Sequence, residues 1–222
     1  MNREKTRILA ISDEVVPFIY SGRIRDRFAD VDMVIGCGDL PFYYLEFVVT
    51  MLDVPLYYVH GNHDHERQYM SDGRVATRAE GCISIDGELN SENGLLMAGL
   101  GGSIRYKTEG EHQYSDSEMT SRMRRISHRL LFNRYRYGRY LDLLIAHSPP
   151  FGIHDLKDPA HIGFRSFLKF MDDFRPKLLL HGHCHVYRGD VITLSKYKET
   201  QVVNVYPYRL IDYHPLEGFT IH

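Results

Sequence analysis

Short apolar runs that stop abruptly at glycine, aspartate or histidine recur along this chain and constrain its fold more than any other feature. Thr6 to Ile11 ends at Ser12-Asp13, Asp32 to Ile35 at Gly36-Cys37-Gly38-Asp39, and Leu56 to Val59 leads into Gly61-Asn62-His63-Asp64. Leu141 to Ala146 ends at His147, and Lys177 to Leu180 leads into Gly182-His183-Cys184-His185. Runs of this length, rich in Val, Leu and Tyr, read as buried strands that end in loops. Pro41 opens a segment with Phe42, Leu45, Phe47, Val48, Met51 and Leu52, the pattern of a buried helix begun by proline. The alternation of strand, loop, helix and strand predicts a parallel sheet with right-handed crossovers, whose carboxyl edge is where ligands bind.

The middle of the chain reads differently. Cys82 to Asp86 and Leu95 to Leu100 are short strand candidates separated by Asp86-Gly87 and Asn93-Gly94, which suggests an antiparallel meander. A long helix is expected from about Asp116 to Tyr137, with Met119, Met123, Ile126 and Leu130 on one face. A second is expected around Phe164 to Phe174. Val191 to Leu194, Gln201 to Val205 and Gly218 to Ile221 read as short strands near the end. No internal repeat or linker interrupts the chain, so residues 1–222 are expected to form one domain.

Composition narrows the chemistry. With 27 Lys+Arg against 29 Asp+Glu, no overall field points to nucleic acid or an acidic membrane. Cys37, Cys82 and Cys184 are odd in number and lack ribbon spacing, which argues against a disulfide framework and for a reducing compartment. Residues 1–20 show no apolar signal core, and no run approaches a membrane span. A soluble, cytoplasmic protein is the expectation.

The 13 histidines are the unusual feature, because several fall at strand ends. Asp13, Asp39, Asn62, His63, Asp64, His147, His183 and His185 together offer carboxylate, amide and imidazole donors. That mixture suits borderline divalent ions such as Mn, Fe, Zn or Ni rather than calcium or a thiolate site. His183 and His185 are two apart, so a small turn between them lets each serve a neighbouring ion.

The order Asp13, Gly38-Asp39, Gly61-Asn62-His63-Asp64, His147, Gly182-His183-x-His185 resembles the calcineurin-like metallophosphoesterase family over nearly the whole chain. The resemblance implies an α/β fold of two packed mixed sheets flanked by helices, a four-layer α/β/β/α sandwich. It implies two divalent ions, with manganese favoured. Asp39 would bridge them, Asp13 and His185 would bind the first, and Asn62, His147 and His183 the second. His63 would sit over a substrate phosphate, with Asp64 orienting it. The implied activity is hydrolysis of a phosphomonoester or phosphodiester by a metal-activated water.

One position departs from the family pattern. The family's first motif is Asp-x-His, whereas this chain has Asp13-Glu14-Val15, and valine cannot ligate. Glu14 could substitute only if the backbone turns, and His65, His112, His154 or His161 could reach in from loops. The broken motif also keeps open a non-catalytic metal- or phosphate-binding protein with a degenerate first site.

Further candidates lie outside the motifs. Gly99, Gly101, Gly102 and Ser103 followed by Arg105 could cradle a phosphate, although a tight turn after a strand gives the same pattern. His154 and Asp155, in the loop after His147, could touch substrate. Arg122, Arg125 and Arg129 share a helix side, which offers either a solvated face or a docking surface for nucleic acid, and hence a nuclease alternative. Oligomeric state and substrate identity are left open by the sequence.

Overall fold

A computed structural model describes residues 5–70 and 73–222; the charged opening Asn2 to Glu4 lies outside them. In chain order the elements of the first half are β1 (Thr6–Ile11), α1 (Ile24–Phe28), β2 (Met33–Cys37), α2 (Phe42–Leu52), β3 (Leu56–Val59), β4 (Gln68–Tyr69), β5 (Val75–Ala76), β6 (Ile83–Ser84), β7 (Leu89–Glu92) and β8 (Leu95–Leu100). The second half comprises β9 (Ser103–Ile104), β10 (Gln113–Tyr114), α3 (Asp116–Tyr137), β11 (Leu143–Ala146), α4 (Arg165–Phe174), β12 (Leu178–His181), β13 (Leu194–Tyr197), β14 (Thr200–Asn204), β15 (Tyr208–His214) and β16 (Gly218–Ile221).

Two six-stranded mixed sheets dominate, in the orders β16-β15-β1-β2-β3-β6 and β13-β14-β12-β11-β8-β7. In each, the central strands run parallel, and antiparallel strands close the sheet at one or both sides. The strands are apolar on both faces because both faces are covered. Ile8 and Ala10 of β1 join Met33, Ile35, Leu143, Ile145, Leu178 and Leu180 in the core between the sheets. Leu9 and Ile11, one residue out of phase, meet Ile24 and Phe28 of α1 and Phe42, Leu45 and Val48 of α2. Leu144 and Leu179 do the same on the other side, against Met119, Met123, Ile126 and Leu130 of α3 and Phe167 and Phe170 of α4. The result is the four-layer α/β/β/α sandwich.

Ser115 caps α3 with a complete capping box to Glu118, and Gly138, with φ 73°, ends it. Two expectations need correction. Val191 to Leu194 is not a strand, because β13 begins only at Leu194. β6 does not form a meander with β8; it adds parallel to β3 in the first sheet, while β8 lies parallel to β11 in the second. Only β7 and β8, around Asn93-Gly94, form the expected hairpin. The β15 strand, antiparallel to β1, has no counterpart among the strands expected from the sequence. No helix among the described residues is long and apolar enough to cross a membrane.

Candidate metal centre

The strand-end residues gather on one rim, where the carboxyl ends of β1, β2 and β3 face those of β11 and β12. Asp39 is at the middle. It has φ 55° and follows Gly38 with φ 88°, so the chain doubles back directly after β2. Its Oδ1 accepts the backbone N–H of His63 at 2.8 Å, and its Oδ2 lies 3.3 Å from Nε2 of His147. A side chain at Gly61 would collide with this carboxylate, which accounts for the glycine there.

His147 is fully buried. Its Nδ1–H donates to the Cys37 carbonyl at 2.8 Å, leaving Nε2 to face Asp39 and, at 3.1 Å, Oδ1 of Asn62. The Asn62 amide donates to the Tyr106 hydroxyl at 3.1 Å, which keeps its oxygen turned inwards. Burial pushes the His147 imidazole down, but the Asp39 carboxylate more than offsets this and lifts it to about 10. Burial alone would likewise raise Asp39, yet His147 holds its carboxyl well below the usual carboxylate range. An anionic oxygen and a ring nitrogen held this closely out of water are suited to share a cation.

His183 completes the trio. It sits at φ 65°, and its ring centroid lies 4.8 Å from that of His147. Its Nε2 bonds the Ala160 carbonyl at 2.7 Å, which directs Nδ1 as the free ring nitrogen. Burial pushes its imidazole down to about 3, so the ring is neutral at pH 7, the form that ligates metals. One ligating atom from each of Asp39, His147 and His183 lies within 4.8 Å of the others.

Asp13 and His185 pair beside this trio. Asp13 has φ 63°, its carboxylate accepts from the Ser12 hydroxyl, and its Oδ1 lies 3.4 Å from Nε2 of His185. The left-handed turn at His183 separates the two histidines, so that His183 faces Asp39 and His185 faces Asp13. Gly182 has no room for a side chain, because one would strike Ser12 and Asp13. Val15 packs into the apolar cluster beneath the first sheet. The backbone does turn at Asp13, but Glu14 then accepts a hydrogen bond from the Tyr206 hydroxyl at 2.8 Å.

Asp64 is placed as a brace between loops. Its Oδ2 accepts the backbone N–H of Gly61 at 2.7 Å and of Asp39 at 3.0 Å, and among the described residues it has no hydrogen bond to the His63 ring. Burial, with the Asp39 carboxylate, pushes the Asp64 carboxyl up to about 6. His63 is exposed at the mouth of the centre.

The looser candidates have other employment. Arg105 pairs with Glu118 and bonds the Gln113 carbonyl. Gly101 and Gly102 sit where side chains would strike the backbone of His60 and His112, which gives the glycine run a packing role. His154 bonds His181 at 3.0 Å and Ser195 at 2.8 Å, and His65 pairs with Glu111. His161 lies against His183, with ring centroids 4.9 Å apart. Arg122 and Arg129 are spent on Asp86 and Glu88. Cys184 is buried, which pushes its thiol up to about 12 and makes it a poor thiolate ligand at neutral pH. Tyr106, Tyr187 and Tyr206, which touch Asn62 or His185, were not anticipated; they lie in loops or next to a strand end, where tyrosine carries no periodic signal.

His60, Asp86 and His112 form a second cluster of donor atoms. The His60 and His112 rings are parallel to within 8° with centroids 4.6 Å apart. A bound ion lies near the plane of each imidazole that holds it, so rings stacked in this way cannot share one. The Arg122 guanidinium already neutralises Asp86. This cluster reads as a packed network behind the metal rim.

The sequence matches the model of the calcineurin-like phosphoesterase family over residues 6–187. Among solved structures, TT1561 of Thermus thermophilus is similar with a TM-score of 0.65 at 15% identity, over 98% of both chains. Another solved structure is similar at 14% identity with a TM-score of 0.64, again over 98% of both chains. At such identities the likeness is one of fold. Among curated proteins no relative matches. The family match spans most of the chain and includes every residue of the metal rim, and on that ground the protein belongs to the calcineurin-like phosphoesterase family.

Proposed function

We propose that the protein hydrolyses a phosphoester at a centre holding two divalent ions. The observation that carries this reading is the convergence of Asp39, His147 and His183 on one buried point, with Asp13 and His185 paired beside it. Imidazoles and carboxylates in this proportion fit Mn, Fe, Zn or Ni, with manganese favoured. Asp39, His147, His183 and Asn62 would hold one ion, and Asp13 and His185, with Asp39 shared, the other. Such ions supply charge against the phosphate oxygens and lower the pKa of a bound water.

The chain's own residues supply the rest. Asp39 is fixed by the His63 N–H and the Asp64 brace, so its carboxylate needs no rearrangement to serve both subsites. His147 and Asn62 are held by Cys37 and Tyr106, which set the direction of the donor atoms. The exposed His63 ring would donate a proton to the departing alkoxide.

Metal analysis together with turnover tests this. Stripped protein reloaded with Mn(II) is expected to hold two equivalents and to hydrolyse a chromogenic phosphodiester or phosphomonoester. Two equivalents without turnover of either ester would instead establish a metal-binding protein without this activity. A single equivalent without turnover would establish a degenerate first site.

A further inference from the structure

The pair of Asp13 and His185 has one imidazole where the family pattern has two, and the structure shows how that remaining ring is held. The Tyr206 ring stacks on His185 with centroids 4.7 Å apart and planes 16° apart. The Tyr187 hydroxyl lies 2.8 Å from Nδ1 of His185, and its ring meets the imidazole edge-on at 84°. The two tyrosines contact each other, with ring centroids 6.0 Å apart and planes at 72°. Tyr206 is anchored in turn by its hydrogen bond to Glu14 at 2.8 Å. Glu14 is thus engaged as an anchor directly beside Asp13, and Val15 is half-buried in apolar packing.

We infer that Tyr187, Tyr206 and Glu14 form a clamp that positions His185, so that a first subsite short of one ligand still presents a fixed Nε2 beside Asp13. This rests on the two-ion reading above. The chemistry of the groups sets the direction of the contacts. An ionised Glu14 can only accept, so the Tyr206 hydroxyl donates to it. The Tyr187 oxygen is then free to accept Nδ1–H of His185, which turns Nε2 to the Asp13 carboxylate, where an ion would take the place of its proton. A histidine that is 40% exposed would otherwise lose rotamer freedom each time it bound an ion, and the aromatic stack removes that freedom in advance. The three are positioning residues, because they act through His185.

The test uses the full chain and the variants Y187F and E14A, both at exposed positions where folding is not at stake. Mn(II) is titrated into stripped protein by calorimetry, and the Nδ1–H resonance of His185 is followed by 15N NMR in the metal-free protein. The expected result is that Y187F weakens the second equivalent by about tenfold or more, with the first equivalent unchanged, and that the protected Nδ1–H signal disappears. E14A should shift both readouts in the same direction. Two equivalents bound as in the unsubstituted protein, with the signal intact in both variants, would overturn the clamp. If the unsubstituted protein takes up fewer than two equivalents, the two-ion reading fails, and the Nδ1–H signal in Y187F still decides whether the clamp exists.

Discussion

Asp64 and Asp39 are joined by a hydrogen bond from the Asp39 backbone N–H to Oδ2 of Asp64 at 3.0 Å, so one buried carboxylate sets the position of another. The same oxygen holds Gly61 at 2.7 Å. In D64A two backbone donors lose their acceptor within a buried loop, and the expected loss of stability is about 2 to 4 kcal/mol. D64N, which retains an acceptor oxygen, should lose less. Urea unfolding of the two variants measures the difference.

The two glycines that face carboxylates separate the two subsites. A side chain at Gly61 strikes Asp39, which serves both, whereas one at Gly182 strikes Ser12 and Asp13. G61A is expected to weaken both Mn(II) equivalents, and G182A mainly one, each by about tenfold or more. Calorimetric titration of both variants would show whether the losses divide in this way.

Metal-free protein should lose stability on acidification. Burial lowers His181 and His183 to about 3 and His154 to about 4, so all three stay neutral in the fold while their unfolded counterparts take up protons. Their stabilisation is present above the ordinary histidine value and is lost as pH falls from about 6.5 towards 3. Asp64, raised to about 6, works in the opposite sense below that pH, because the fold then holds the extra proton. His147 does not contribute in this window, being protonated in both states. With three groups against one, the net slope approaches about 2.7 kcal/mol per pH unit between about pH 5 and 6. Urea midpoints at pH 7, 6 and 5 measure it.

The arginines of α3 should divide into two kinds. Arg122 is largely buried on Asp86, so R122A removes the cation from a buried carboxylate that keeps only the Gly101 N–H and His60, and is expected to cost about 1 to 3 kcal/mol. Arg124 and Arg125 are exposed, and replacing them with alanine should leave stability within about 0.5 kcal/mol of the parent. Thermal unfolding distinguishes the two. If single-stranded RNA or DNA is bound at all, R124A and R125A, and not R122A, should flatten its salt dependence.

Much of this architecture was legible because the strands are covered on both faces. Thr6–Ile11, Leu56–Val59 and Leu95–Leu100 are mainly apolar runs with sharp stops, and they fold with the limits the sequence predicts. The β15 strand was not legible, because Arg209 and Asp212 break its alternation and only Ile211 and Tyr213 reach the core between the sheets. Ile83–Ser84 was misassigned for a different reason. The Asp86-Gly87 turn signal is local, whereas its partner β3 is distant in sequence. At the metal rim, residues that follow glycine words could be read directly from the chain. The tyrosines that orient Asn62 and His185 could not, since only tertiary folding brings Tyr106 and Tyr206 to them.

The rim is also divided by element type. Asp13, Asp39 and Asn62 follow strands of the first sheet, whereas His147, His183 and His185 follow strands of the second. The oxygen donors thus belong to one half of the sandwich and the nitrogen donors to the other. An ion held between them would act as a rivet across the seam, and chelation should release the two sheets from each other at that end. Hydrogen exchange would then quicken together at Gly38, Gly61 and Gly182, on both sides of a joint that nothing covalent closes.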